Sequence, residues 1–313
     1  MLQALVDNTY RLFHELSWSM RRGYAPRPTG HSRIASLERL LLTDGVSRTL
    51  FDEYANHRES ARGDEETGWL LLGLRDENEA VALATLPAGT QREAGVAHVL
   101  FNSTAQAVGS RIVRQVDRRL NILGVVHTHP GSLRHPSDAD FRGDQAWIAQ
   151  LRGKEGLFGI GTADSHPNHS TPDLGRHPRP NAQTLGKLCF SWYSLRHGDG
   201  AYRPLPVELV LGPDLARPLH QIWPTIEVHA ERLDRLARQQ AGVTFDLAPG
   251  QQGVALAVTV PLAEPRTAIR VLLEGAEVQY LVEQDGEFFA ADPHETQVDQ
   301  GVYLLLAELA AHR

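Results

Sequence analysis

Apolar residues along this chain recur with two different periods, and the change from one to the other divides it into regions. Near the start, Leu2, Leu5, Leu12 and Phe13 give a loose helical stripe that Tyr24-Ala25-Pro26-Arg27-Pro28-Thr29-Gly30 breaks. Ile34, Leu37, Leu40 and Leu41 form a second stripe; Asp44-Gly45 interrupts it, and Val46, Leu50, Phe51 and Tyr54 continue as a third. Residues 1–60 therefore read as an N-terminal helical extension, closed by the polar run Ala55 to Asp64. Beyond it, strands are expected near 68–74, 79–86, 96–102, 122–127 and 157–161, with helices over 104–120 and 137–152. After an insertion rich in histidine and proline, 187–196 and 202–211 read as paired strands around His197-Gly198-Asp199-Gly200, whose Asp-Gly is a hairpin signal. Strands interleaved with helices predict an α/β domain over 61–212, a mixed sheet flanked by helices.

Residues 213–241 read as one long connecting helix, with Leu215, Leu219, Ile222, Ile226, His229, Leu233 and Leu236 at helical spacing. Past Ala241-Gly242 the pattern turns strand-like over Val254 to Val260, Ala268 to Leu273, Glu277 to Glu283 and Phe288 to Ala291. Glu274-Gly275 and Asp285-Gly286 mark turns, and a final helix fits 294–311. This makes a small C-terminal α+β module over 242–313, with no chemistry visible in it.

Composition narrows the setting. The 313 residues leave room for two domains, and 42% apolar content is ordinary for a folded protein. No apolar stretch reaches the length of a membrane span, and the first residues lack the basic and apolar regions of a signal peptide. A cytoplasmic protein without membrane association is the expectation. The single cysteine, Cys189, excludes an internal disulfide and a cysteine-based zinc site, and its place in Leu188-Cys189-Phe190-Ser191-Trp192-Tyr193 is that of a core residue. A formal charge of -7 argues against nucleic acid as the main partner. Arg111, Arg114, Arg118 and Arg119 are a local exception on one broad helix face, read as solvated, with an acidic protein partner as the alternative.

The chemistry lies in His127-Thr128-His129-Pro130, followed by Ser137 and Asp140. Gly124-Val125-Val126 is a short buried-strand signal, so His127 and His129 leave its end on the same face, because strand side chains repeat every two residues. Pro130 ends the strand by removing a ladder donor. Ser137 opens a helical pattern as its N-cap, which puts Asp140 one turn inside. Two imidazoles and one carboxylate give zinc three protein ligands and leave the fourth position for water, the arrangement of a hydrolytic site. Other zinc chemistries fit less well. The metallo-β-lactamase pattern needs an aspartate where Gly131 stands, no His-Glu-x-x-His is present, and one cysteine cannot supply a deaminase site. Among the 15 histidines, His166, His169 and His177 in the insertion read as a solvated loop, with a second zinc as the alternative. His135 reads as a rim residue.

His127-x-His129-x7-Ser137-x2-Asp140 resembles the JAMM motif of JAB/MPN-type zinc metalloproteases, and Glu66-Thr67-Gly68-Trp69-Leu70-Leu71-Leu72-Gly73 is similar to the glutamate-bearing start of that family's first core strand. The resemblance covers roughly residues 60–212 and implies a sheet related to the cytidine-deaminase fold. It implies cleavage of peptide or isopeptide bonds at the C-terminus of ubiquitin-like proteins, with conjugation-pathway enzymes as possible partners. It assigns Glu66 as the proton acceptor and Ser137 as a donor to the oxyanion. Glu65 is the alternative base, although strand alternation sends the two carboxylates to opposite faces. Trp69 and Pro130 are candidate substrate contacts, Trp69 by narrowing a groove beside Glu66 so that only small residues fit before the scissile bond. The competing reading is an MPN-type scaffold that binds zinc without catalysis.

Overall fold

The computed structural model describes residues 35–90, 93–94, 99–163, 176–251 and 253–311. The chain opens with β1 (Arg39–Thr43), α1 (Asp44–Glu59), β2 (Gly68–Asp76), β3 (Glu79–Pro87) and the short β4 (Glu93–Ala94) and β5 (Val99–Leu100). Next come α2 (Ser103–Val116), β6 (Asn121–Thr128), α3 (Asp138–Ile148), β7 (Glu155–Thr162), β8 (Arg176–Arg179), β9 (Ala182–Leu185), β10 (Leu188–Arg196), β11 (Arg203–Pro204) and β12 (Val207–Val210). The last part holds α4 (Arg217–His220), α5 (Trp223–Gln239), strands β13 (Thr244–Pro249), β14 (Val254–Pro261), β15 (Thr267–Glu274), β16 (Glu277–Gln284) and β17 (Glu287–Ala291), and α6 (Val298–Ala311).

A ten-stranded mixed sheet runs in the order β12-β1-β3-β2-β6-β7-β10-β9-β8, with β11 beside β10. β1 corrects the sequence reading, which put Leu40 and Leu41 in a helix. It lies parallel to β3 on one side and β12 on the other, and Leu40 and Leu42 are fully buried at alternate positions. Three consecutive leucines satisfy either period, and the waiting ladder partners decide in favour of the strand. Thr43 then caps α1, accepting from the Val46 amide at 3.3 Å, so Asp44 begins the helix rather than interrupting one. Residues 39–59 thus belong to the main sheet domain and not to a separate extension. The first stripe, Leu2 to Phe13, and Ile34 of the second lie outside the described residues.

The hairpin reading also needs correction. β11 pairs with β10, but Leu205-Pro206 ends that pairing and β12 joins β1 at the opposite sheet edge. Leu40 donates to the Pro206 carbonyl at 2.8 Å and Val207 to that of Pro180 at 2.7 Å, so the sheet curls until its two ends meet. One face of the curl packs Leu37, Leu42, Leu71, Phe190 and Trp192 against α1. The other is covered by α2, α5 and the C-terminal sheet, and α3 closes a smaller cluster around Phe158 and Ile160. A buried ion pair crosses between elements, Arg75 Nη2 to Glu155 Oε2 at 2.7 Å, and the same carboxylate accepts from the Leu37 amide at 3.0 Å.

The expected connecting helix is two helices, α4 and α5, because Pro224 stands in the first turn of α5, where a missing N–H is tolerated. The C-terminal sheet has five strands in sequential order, one more than the pattern indicated. It does not form an independent core. Leu256, Val258, Ile269 and Val302 share one apolar cluster with Val108 and Ile112 of α2 and Ile226 and Leu233 of α5. Among the described residues no helix is long and apolar enough to cross a membrane.

The tightest seating in the sheet is at Gly124, whose Cβ would fall onto the backbone carbonyl of Leu157 on the neighbouring β7. Gly124→Ala should therefore cost roughly 3 kcal/mol or more, since a backbone carbonyl cannot rotate away. Gly131→Ala, with nothing within 4 Å, should be near neutral. Denaturant titration of the two variants checks the contrast.

Candidate metal centre

β6 carries the first two histidines, and an irregularity in its pairing decides where they point. Leu71 of β2 opposes Gly124, but Leu72 opposes Ile122, so Leu123 is an extra residue. In an unbroken strand Leu123 and His127 would share a face. The bulge shifts the parity: Leu123 stays in the core beneath α1, while His127 faces the other way, opposite Gly68. Gly68 is glycine for steric reasons, since a Cβ there would lie 2.6 Å from the Val126 carbonyl and 3.4 Å from the His127 Cβ. The ladder continues past β6, with Thr128 donating to Thr67 at 2.9 Å and His129 to Gly161 at 2.8 Å. Both imidazoles are thereby buried at 6% exposure.

Asp140 arrives from the first turn of α3. Ser137 caps that helix and forms a capping box with Asp140. Its amide and hydroxyl both donate to Asp140 Oδ2, at 2.6 Å and 2.8 Å. The result is a cluster of three ligand atoms. His127 Nε2 and His129 Nε2 are 3.1 Å apart, and Asp140 Oδ1 and Oδ2 lie 3.5 Å from His127 and His129 respectively. Tetrahedral zinc with bonds of ~2.0–2.1 Å sets its ligand atoms roughly 3.3 Å apart, so the residues present fit the ion. His129 Nδ1–H donates to the Leu133 carbonyl at 2.7 Å, which turns Nε2 toward the cluster.

Burial works against a charged His129, but hydrogen bonds to Asp140 and to the Leu133 carbonyl outweigh it and raise its pKa. Burial likewise opposes ionisation of Asp140, yet the bonds from His127 and His129 hold its carboxyl well below the usual carboxylate range. Glu66 is also buried, at 4% exposure, and feels the charges of both His129 and Asp140. Its burial, reinforced by Asp140 and opposed by His129, pushes its pKa up to about 7. Glu65 points elsewhere and pairs with Arg62 at 2.6 Å.

Other sequence candidates fall in different places. Pro130 is half-buried directly after His129, at the edge of the centre. Trp69 is not in any groove: it is 2% exposed, opposes Val126, and donates from Nε1 to Glu53 at 2.6 Å. Strand alternation sends it into the core beneath α1, away from Glu66, so it cannot narrow a substrate channel. His135 stands at the rim with Nδ1 2.8 Å from the Tyr193 hydroxyl, outside the ligand cluster. His166 and His169 lie outside the described residues, as does the His177 side chain.

Two neighbours escaped the sequence reading. Asp144 sits one turn beyond Asp140 on α3 and accepts from the Tyr202 hydroxyl at 2.7 Å. Its burial, together with the charge of Asp140, raises its pKa to about 7 despite the Tyr202 bond. The i, i+4 spacing from Asp140 was a usable signal for it. Nothing in the sequence pointed to Tyr202.

Two measurements follow. Ser137→Ala should lower stability by about 1 kcal/mol through loss of the cap and weaken zinc binding by roughly 10–100-fold, because Asp140 loses its orienting donor. Thermal melting and competitive zinc titration read the two effects. Asp144 has a folded pKa above its ordinary value, so the folded state holds a proton that the unfolded state releases, and stability falls as pH rises from about 4 through 7. Asp144→Asn should remove that loss. Metal-free Asp144→Asn should exceed the parent by on the order of 1 kcal/mol at pH 8 and match it at pH 4, by urea unfolding.

Residues 47–167 match the family model described as prokaryotic homologs of the JAB domain. No curated protein matches the chain. Among solved structures, a solution structure of a protein from Desulfitobacterium hafniense is similar at 16% identity, covering 56% of this chain and 94% of that one with a TM-score of 0.36, too slight a likeness to carry an argument.

Proposed function

We propose, from the match of residues 47–167 to the prokaryotic JAB-domain family, that this protein is a zinc-dependent peptidase or isopeptidase acting at the C-terminal tail of a ubiquitin-like protein. The observation that carries the reading is the cluster of His127, His129 and Asp140, with the two Nε2 atoms 3.1 Å apart and each 3.5 Å from an Asp140 carboxylate oxygen, and the buried acid Glu66 in their field. Zinc held by His127, His129 and Asp140 would acidify water and polarise the scissile carbonyl. Glu66 takes a proton from the attacking water and returns it to the leaving amine. Ser137 holds Asp140 Oδ2, which leaves Oδ1 free for the ion. In the resting arrangement the Ser137 hydroxyl proton is committed to Asp140, so its part in binding an oxyanion requires it to turn. The choice of a ubiquitin-like tail rests on the resemblance of the motif, since Trp69 supplies no steric filter.

The test combines metal analysis with cleavage of a C-terminally extended ubiquitin-like protein and of an isopeptide conjugate. One zinc per chain, turnover abolished by chelator and restored by zinc, is the expected result. Glu66→Gln should keep the metal and lose roughly 100–10,000-fold in rate, whereas Glu65→Gln should stay active. Asp140→Asn and His129→Ala should lose the metal itself. Stoichiometric zinc without cleavage of either substrate would leave the domain as a zinc-binding scaffold.

A further inference from the structure

A groove of about 1040 Å³ opens between α2 and α3 over the strand that bears the histidines. Its floor is apolar, made by Leu70, Ile122, Val125 and Trp147. One end comes close to His127: Phe101 lines the groove and would lie 3.1 Å from a Cβ on Gly68, the residue opposite His127. From there the groove follows α2 toward Arg118, and Gly242, Val243 and Thr244 form part of its far wall.

The α2 wall is distinguished by its charge. Four arginines line the groove against one carboxylate, Asp234, which already pairs with Arg238 at 2.6 Å. Arg111, Arg114 and Arg118 make no ion pair among the described residues.

We propose that this groove docks an extended, acidic segment of the protein substrate, leading its tail to the metal; the idea rests on the peptidase reading above. The segment's acidic side chains meet Arg111 and Arg118, both exposed along the groove. Apolar side chains at alternate positions settle on Leu70, Val125 and Trp147. The 14 residues of α2 measure about 21 Å, room for roughly six extended residues.

The experiment measures binding apart from turnover. Fluorescein-labelled decapeptides ending in Gly-Gly, with alternating Glu-Leu, Gln-Leu or Lys-Leu, are titrated with the full, zinc-loaded chain by anisotropy. The Glu-Leu peptide should bind at least tenfold tighter than the Gln-Leu peptide at 50 mM salt, with the margin shrinking at 300 mM as screening predicts. Arg111→Glu with Arg118→Glu, both at exposed positions, should abolish that preference and favour the Lys-Leu peptide. Equal binding of the three peptides, or an acidic preference that survives the double reversal, would overturn the proposal. So would equally tight binding of a single-stranded oligonucleotide of matching charge, which would make the groove a general anion site. Acidic binding without cleavage of any tail substrate would uphold the groove and remove the peptidase reading. Cleavage without a charge preference would do the reverse.

Discussion

The centre depends on how tightly β6 is seated between β2 and β7. Gly124 allows the β7 backbone to approach closer than any side chain would permit, and Gly68 does the same for β2 opposite His127. Between them the extra residue at Leu123 reverses the parity of the strand. Without that reversal both imidazoles would face the packed core beneath α1, where neither Asp140 nor Glu66 could reach them. A single unpaired residue therefore separates a core strand from one that brings the two histidines to Asp140, the re-aiming that bulges serve elsewhere.

Charge is then concentrated where burial makes it costly, and each charge is given a specific answer. Asp140 is held ionised by two imidazoles and by the Ser137 cap. Glu66, whose burial and the nearby charge of Asp140 outweigh the pull of His129, stays near the point of losing its proton. Two carboxylates in one pocket are thus driven to opposite ends of their titration range by their surroundings, a division suited to one ligand and one proton carrier. Far from this pocket, the Arg75–Glu155 pair solves the same problem structurally. It fixes the start of β7, and Glu155 also accepts from the Leu37 amide just before β1.

The C-terminal sheet acquires a reason for its attachment. It shares its apolar core with α2 and α5, and residues at its start complete one wall of the groove. Gln115 of α2 binds both the amide and the carbonyl of Phe245 at the start of that sheet, at 2.9 Å and 2.7 Å. The start of this module thereby helps to set the width of the groove over β6.

What the sequence determined by itself was local. His127, His129, Ser137 and Asp140 lie within fourteen residues, and the strand-end and N-cap rules that place them act over one or two turns of chain. The same holds for most core strands, whose apolar periods were plain. Tertiary structure decided whatever depended on distant partners. Leu40 to Leu42 became a strand because β3 and β12 flank it, although the three leucines fit either period. Trp69 turned inward because Val126 and Glu53 receive it. Tyr202 reached Asp144 across 58 residues of chain, and the bulge at Leu123 exists only as a relation between two strands. Arg111 and Arg114 of α2 read as a solvated face because a sequence shows a helix's own periodicity but not what stands opposite it, and Arg118 and Arg119 lie beyond the end of that helix. Only the packed fold put α3 and the C-terminal sheet there, and turned that face into the wall of a groove.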